Sequence, residues 1–172
     1  PDLHVVAAGS LLEFLLADHS FSMPVGRIEY CFLTPLTFEE FLAGAGQDSL
    51  LSYLASFDFS QEVPLALHSK LLKLLQVYCL VGGMPEAMAA WFETEDFVEV
   101  QKVHASILQT YEDDFAKYRK RINPDVLRLV LRRMPALVGE KVRYTRLDPH
   151  TTPSSLNAAI RALSAARVMS QI

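Results

Sequence analysis

The sequence predicts a mainly α fold with a residual α/β part near its N-terminal end, because only two strand-like runs precede a long series of helical patterns. Residues 4–8 form a short apolar run that ends in Gly9 and Ser10, which is typical of a buried strand followed by a loop. Residues 28–33 alternate well enough to predict a second strand. From Asp48 onward apolar residues recur at helical spacing. This spacing predicts helices over residues 48–57, 64–81, 85–93, 96–120, 124–138 and 153–167.

Start signals for several of these helices are present in the sequence. Thr37 precedes Glu40 by three residues, which predicts a capping box at the start of a further helix that carries Phe38, Phe41 and Leu42. Asn123 and Thr152 are good N-cap residues for two of the later helices. Prolines suited to the first helical position follow at Pro85, Pro124 and Pro153.

The last 49 residues follow an order of elements that resembles a winged helix. A helix over 124–138 is followed by a polar connection, a helix over 153–167 and a β-like run at 168–172. A winged helix adds a hairpin after its second helix, and this chain stops at the first strand of that hairpin. We therefore expect a truncated winged-helix-like unit at this end.

Composition indicates a globular chain of one domain, or of a compact domain plus a small second one. Of its 172 residues 51% are hydrophobic and 21% are charged, so apolar burial can offset chain entropy. No apolar run reaches the roughly 18 to 20 residues that a membrane span needs, and we expect a cytoplasmic protein with no membrane partner. Cys31 and Cys79 lack ligand spacing and are predicted to be buried free thiols; they favour a reducing compartment, although two cysteines can also pair in an exported protein.

The charges divide the chain into two electrically opposed parts. Residues 1–114 hold 4 Lys or Arg against 17 Asp or Glu, whereas residues 117–146 hold 10 against 2. Such a basic block suits nucleic-acid phosphates, the acidic part of the same molecule, or an acidic partner. Its members are Lys117, Arg119, Lys120, Arg121, Arg128, Arg132, Arg133, Lys141, Arg143 and Arg146.

Five runs of residues, in order, resemble the middle of prokaryotic AAA-like P-loop ATPases: 5–10, 24–27, 33–42, 80–87 and 113–118. Members of that family place a P-loop ATPase domain before a helical lid, a winged helix and a nuclease-like domain of unknown function. The resemblance implies an ATPase-core remnant with C-terminal strands of the P-loop sheet, a helical lid and a truncated winged-helix-like domain. The corresponding ranges are 1–45, 46–120 and 121–172. The chain lacks a Gly-x-x-x-x-Gly-Lys-Ser/Thr loop and an apolar strand ending in Asp-Glu, so the piece alone is expected to be inactive.

By the same resemblance, Ser10 and Arg27 take catalytic positions. Ser10 would orient water or contact the γ-phosphate, and Arg27 would stabilise phosphate charge in its own or a neighbouring subunit. The alternatives are an N-cap role for Ser10 and an ion pair of Arg27 with Glu29 or Glu13.

Gly83 and Pro85 are the predicted cofactor-binding residues. The resemblance implies that a Gly-x-Pro element at this point places a lid helix against the adenine of the nucleotide. Their alternative role is purely structural, since Gly-Gly followed by Pro is a common way to end one helix and begin the next. ATP and Mg²⁺ are expected in the intact protein, with neither bound to this piece. The histidines show no ligand spacing, and no other metal site is predicted.

The competing hypothesis is a non-enzymatic DNA-binding or adaptor module that uses the basic block and the last helix, and self-association is a further possibility. Salt dependence distinguishes DNA binding from a purely structural role of the basic block, because phosphate-driven binding weakens steeply as the salt concentration rises. The alternative role of the last helix, over 153–167, is structural packing rather than DNA contact. The candidate nucleic-acid contacts are Arg132, Arg133, Lys141, Arg143, Ser155, Asn157 and Arg161.

Overall fold

The computed structural model describes residues 4–6, 27, 29, 31–58, 60, 62–116 and 122–170. Within these ranges the protein is mainly α, as predicted, and contains no strand. The α-helices are α1 (Phe38–Gly44), α2 (Asp48–Ser56), α3 (Leu65–Val81), α4 (Pro85–Thr94), α5 (Phe97–Phe115), α6 (Pro124–Arg133), α7 (Tyr144–Leu147) and α8 (Pro153–Ala165), with a 3-10 turn at Met134–Leu137. No helix of these ranges has both the length and the apolar character needed to cross a membrane.

The chain divides into two compact units, which we call the N-terminal unit (Gly26–Leu108) and the C-terminal unit (Gln109–Ile172, together with 1–25). The core of the N-terminal unit is built from Phe41 on α1, Val81 at the end of α3, Ala87 and Met88 on α4, and Val100 on α5. All five side chains are buried. Burial of these apolar faces is the main stabilising contribution to the unit.

The start of α1 is the predicted capping box. The Thr37 hydroxyl accepts a hydrogen bond from the Glu40 backbone N–H at 3.3 Å, and the Glu40 carboxylate accepts one from the Thr37 N–H at 2.7 Å. Two backbone donors of the first turn are thereby satisfied. Phe41 and Leu42 are thus presented to the interior, where the Phe41 ring lies 5.7 Å from that of Tyr78.

The C-terminal unit packs α6, α7 and α8 around one apolar core that also receives Phe115, the last residue of α5. Asn123 caps α6 by accepting a hydrogen bond from the Asp125 N–H at 2.9 Å, and Thr152 accepts one from the Ser155 N–H at the start of α8. Pro124 and Pro153 occupy the first helical positions. The fully buried residues of this core include Leu127, Val130, Leu147, Leu156, Ala159 and Leu163.

The strand predictions are wrong for the residues that the structure describes. Residues 4–6, 29 and 31–33 lie in irregular segments and are exposed, and residues 168–170 form bends and an irregular end. A strand requires a neighbour that pairs its backbone groups and covers one face, and no such neighbour exists in the described ranges. Val168 and Met169 pack instead against the helical core of the C-terminal unit. The rest of the runs 4–8, 28–33 and 168–172 lies outside the described residues.

The cysteines also differ from prediction. Cys31 and Cys79 are free, but both are exposed rather than buried. Cys79 lies on α3 on the side away from the core.

Candidate nucleic-acid interface

The predicted nucleic-acid residues lie in three parts of the C-terminal unit: at the end of α6 (Arg132, Arg133), just before the short helix α7 (Lys141, Arg143), and on α8 (Ser155, Asn157, Arg161), which follows α7 after the connection 148–152. Leu147 at the end of α7 is fully buried and packs in one core with Leu156 and Leu163 of α8. The Thr152 cap starts α8 directly after the connection. The two helices are therefore held by shared apolar contacts.

Arg133 on α6 contacts the connection between α7 and α8 and stabilises it. Its guanidinium donates a hydrogen bond to the backbone carbonyl of Leu147 and lies 3.6 Å from the Asp148 carboxylate. The Thr151 hydroxyl donates to the same carboxylate at 2.6 Å. The hydrogen bond from Thr151, followed by the positive charge of Arg133, holds the pKa of Asp148 below its ordinary value. Arg133 thus has a structural role in the turn.

Arg132 makes a two-point contact with Glu112 at the end of α5. Arg132 Nε lies 2.6 Å from one carboxylate oxygen and Nη2 lies 2.7 Å from the other. This hydrogen bond is the main cause that holds the pKa of Glu112 below its ordinary value, and the charges of Arg132 and Arg128 act in the same direction. The geometry is the planar fork that guanidinium and carboxylate form best.

Two further arginines of the basic block have intramolecular acidic partners. Arg128 lies 3.0 Å from Asp125 and also donates to the Glu112 backbone carbonyl at 3.2 Å, while Arg146 lies 2.5 Å from Glu140. With Arg132 and Arg133, four arginines of the block are therefore engaged within the C-terminal unit. For these four, the intramolecular interpretation of the basic block fits the structure.

Three candidate cations are left available in the part of the chain that the structure describes. Lys141 and Arg143, just before α7, and Arg161, on α8, are exposed, and their side chains have no hydrogen-bond or ion-pair partner among the described residues. Lys117, Arg119, Lys120 and Arg121 lie outside the described residues.

The polar candidates on α8 share part of a face with Arg161. Asn157 is half-buried and precedes Arg161 by four residues, so the two side chains are neighbours on the helix surface. Ser155 is exposed, and its hydroxyl lies 2.9 Å from that of Thr152. The opposite face, with Leu156, Ala159, Ile160 and Leu163, is buried.

The predicted nucleotide residues lie in or before the N-terminal unit. Ser10 is outside the described residues, and Arg27 is exposed at a bend. Pro85 is the exposed first residue of α4. Gly83 packs against its own chain: its carbonyl accepts a hydrogen bond from the Leu36 N–H at 2.7 Å, and a Cβ placed on it would lie 2.4 Å from the Leu36 carbonyl oxygen.

The sequence did not predict two contacts, one beside Gly83 and one in the basic block. The Tyr78 hydroxyl donates to the Leu36 carbonyl at 2.8 Å, so that segment is held from two sides. The Glu112–Arg132 pair joins residues 20 positions apart. The partners of each pair are far apart in the sequence, so no short-range pattern predicts either contact.

Glu112→Gln tests the ion pair through pH. A lowered folded-state pKa means that the carboxylate stabilises the fold fully above its ordinary pKa of 4.5, and that this contribution is lost as the pH falls through the lowered value. We expect the variant to melt at a lower temperature than the parent at about pH 7, and the difference to shrink as the pH falls below 4.5. Thermal unfolding followed by circular dichroism measures this. A difference that stays constant over the whole pH range would contradict the role of the carboxylate charge.

The C-terminal part of the chain matches a known family model. No curated protein and no solved structure matches the chain. A family model described as a domain of unknown function (DUF8612) matches residues 72–172, which is more than half of the chain. In the described residues no group of three or more His, Cys, Asp or Glu side chains is placed to hold a metal ion.

The resemblance to prokaryotic AAA-like ATPases is wrong, because the family model that matches is a different one. The motifs that carried it have local structural roles instead: Thr37 and Glu40 cap α1, Gly83 packs against Leu36, and Pro85 starts α4. Such features serve many helical proteins. ATP and Mg²⁺ binding, which only this resemblance implied, stays a prediction without that support. The chain belongs to the family defined by the domain of unknown function DUF8612.

Proposed function

We propose that the C-terminal unit is a winged-helix-like, non-enzymatic DNA-binding unit that contacts the phosphate backbone through Lys141, Arg143 and Arg161. The observation that carries the proposal is the presence of three exposed cations whose side chains have no partner among the described residues, in a unit in which Arg128, Arg132, Arg133 and Arg146 are each paired with an acidic side chain. Unpaired cations can replace counterions on phosphates without first breaking a native contact.

The charge of the 109–172 part of the unit supports this proposal. Residues 109–172 hold 12 Lys or Arg against 6 Asp or Glu, whereas residues 26–108 hold 4 against 11. A polyanion is attracted to the first range and repelled by the second. Electrostatic steering therefore favours DNA at the C-terminal unit.

The arrangement of helices supports it as well. In helix-turn-helix proteins the second helix enters the major groove with its N-terminal residues nearest the bases. Here α8 is that helix, and its first turn carries the exposed hydroxyls of Ser154 and Ser155. Asn157 and Arg161 lie farther along the helix. The first turn of α8 would therefore lie nearest the bases, and Arg161 would contact a phosphate.

The triple variant Lys141→Ala/Arg143→Ala/Arg161→Ala tests the function. We expect the parent chain to bind a short fluorescein-labelled DNA duplex with a Kd of about 1–100 µM at physiological salt, in the range of sequence-independent binding. The triple variant should bind about tenfold or more weakly, because three phosphate contacts are lost. Fluorescence anisotropy measures both affinities, and circular dichroism checks that the helices remain.

The matched control removes exposed cations elsewhere. Lys70→Ala/Lys73→Ala changes two exposed lysines of α3 in the acidic N-terminal unit, and we expect its DNA affinity to equal that of the parent. Equal affinities of the parent and the triple variant, or no binding by the parent even at low salt, would overturn the proposal. In that case the three cations remain available for an acidic protein partner.

A further inference from the structure

Helix α3 carries an apolar stripe on the side that faces away from the core. Its members follow one another at intervals of 3, 4, 3 and 4 residues, and all are exposed: Leu65, His68, Leu72, Leu75 and Cys79. The exposed fractions of the three leucines are 79%, 45% and 39% in chain order. Alternation of 3 and 4 is the spacing by which one helix packs against another along a seam.

The opposite side of α3 is anchored in the N-terminal unit. Leu74, Val77 and Tyr78 pack against the core, and Val81 belongs to it. The helix and its exposed stripe are therefore formed before any partner arrives, so a partner does not have to supply the free energy of helix formation.

No Asp, Glu, Lys or Arg lies in the stripe or directly beside it. Ser69 and Gln76, which lie beside it, are uncharged. Lys73 follows Leu72 directly and points about 100° away around the helix, and Lys70 lies farther still. The N-terminal unit holds 11 Asp or Glu, and α3 contains none of them.

We propose that this stripe is the contact between two copies of the chain, with α3 of one copy packed along α3 of the other. A two-fold interface uses the same patch on both subunits, so the patch must be complementary to itself. A stripe of mainly apolar side chains without Asp, Glu, Lys or Arg meets this requirement, whereas a patch of acidic or of basic side chains repels its own copy. Two acidic units repel each other elsewhere on their surfaces, and α3 is the described helix of this unit on which they can approach without opposing carboxylates. The interface is independent of DNA binding.

Leu72→Glu/Leu75→Glu tests the interface in the full chain by sedimentation velocity and light scattering. We expect the parent to have the mass of a dimer and the variant that of a monomer, because two carboxylates in each copy would be forced together in the seam. Both positions are partly exposed, and circular dichroism should show that the helices remain. The control is Leu80→Glu, which adds one carboxylate to the same helix at a 63% exposed position outside the stripe. It should remain a dimer.

Two results would overturn the proposal. The first is a parent chain that remains monomeric at high concentration, which would mean that the stripe is covered by another partner. The second is dissociation of the Leu80→Glu control to the same extent as the stripe variant, which would mean that added charge rather than the seam controls association.

A cross-linking experiment in a Cys31→Ser background gives the direction of pairing. Parallel helices bring Cys79 opposite Cys79, so oxidation with diamide should produce a covalent dimer of the otherwise unchanged chain. Antiparallel helices bring Cys79 opposite Leu65, so a covalent dimer should form only with Leu65→Cys. Failure of both chains to cross-link would contradict pairing along the whole stripe.

Discussion

Leu127→Ala is expected to lower the free energy of unfolding of the C-terminal unit by about 2–5 kcal/mol. Leu127 is fully buried on α6 in the core that also contains Leu147, Leu156 and Leu163. The change removes buried apolar surface and leaves a cavity between helices. A loss of this size is a large share of the roughly 5–15 kcal/mol that stabilises a small domain. Hydrogen exchange followed by mass spectrometry on peptides from α6 and α8 measures the change in this unit separately.

The control for this effect is Val138→Ala in the same unit. Val138 is 83% exposed, so the truncation should change stability by less than about 0.5 kcal/mol. Equal exchange rates in the two variants would contradict the position of Leu127 in the core. DNA binding should weaken with Leu127→Ala and remain with Val138→Ala.

Gly83→Ala is expected to have the second-largest effect and to act on the N-terminal unit. The added Cβ would lie 2.4 Å from the Leu36 carbonyl oxygen and 2.8 Å from the Pro35 Cβ, so the 35–36 segment has to shift. That shift disturbs the hydrogen bonds that Leu36 makes with Gly83 and with Tyr78. Overpacking of this kind lowers the free energy of unfolding by about 1–3 kcal/mol. Urea unfolding measures this loss.

Pro85→Ala is the matched control, because Pro85 is close in sequence but exposed at the first position of α4. Alanine keeps the helix, and we expect a markedly smaller change in the urea midpoint. A Gly83→Ala variant as stable as the parent would show that the contact between Gly83 and Leu36 does not hold the segment.

The helices were predicted well because their signals are local. The capping box of Thr37 and Glu40, and the N-caps Asn123 and Thr152, determine helix starts through neighbours within three residues in the sequence. The helix predicted over 124–138 ends earlier than expected, at Arg133, where α6 gives way to a 3-10 turn at Met134–Leu137. Helix ends depend on tertiary contacts more than on spacing.

The strands were not predicted correctly in the described residues because strand formation is not local. An apolar run such as 168–172 satisfies the pattern of a strand, but it becomes one only when another segment pairs with it. Val168 and Met169 gain burial against helices instead. A pattern of alternating or apolar residues cannot distinguish these outcomes.

The candidate site was predicted as a pattern but not as a set of contacts. Clustered cations identified the region, yet only the fold shows that Arg132 is engaged by Glu112 and Arg133 by the turn at Asp148. Those partners lie 20 and 15 residues away in the sequence. Lys141, Arg143 and Arg161 were candidates of equal standing in the sequence, and the structure distinguishes them by their lack of described partners.

The salt dependence of DNA binding tests the central claim most directly. The affinity of the parent chain and of Lys141→Ala/Arg143→Ala/Arg161→Ala for the same duplex is measured over a range of salt concentrations. If the three cations contact three phosphates, the slope of log K against log salt should be less steep in the triple variant by about 2.7. Identical slopes for the two chains would contradict the assignment of these residues as the phosphate contacts.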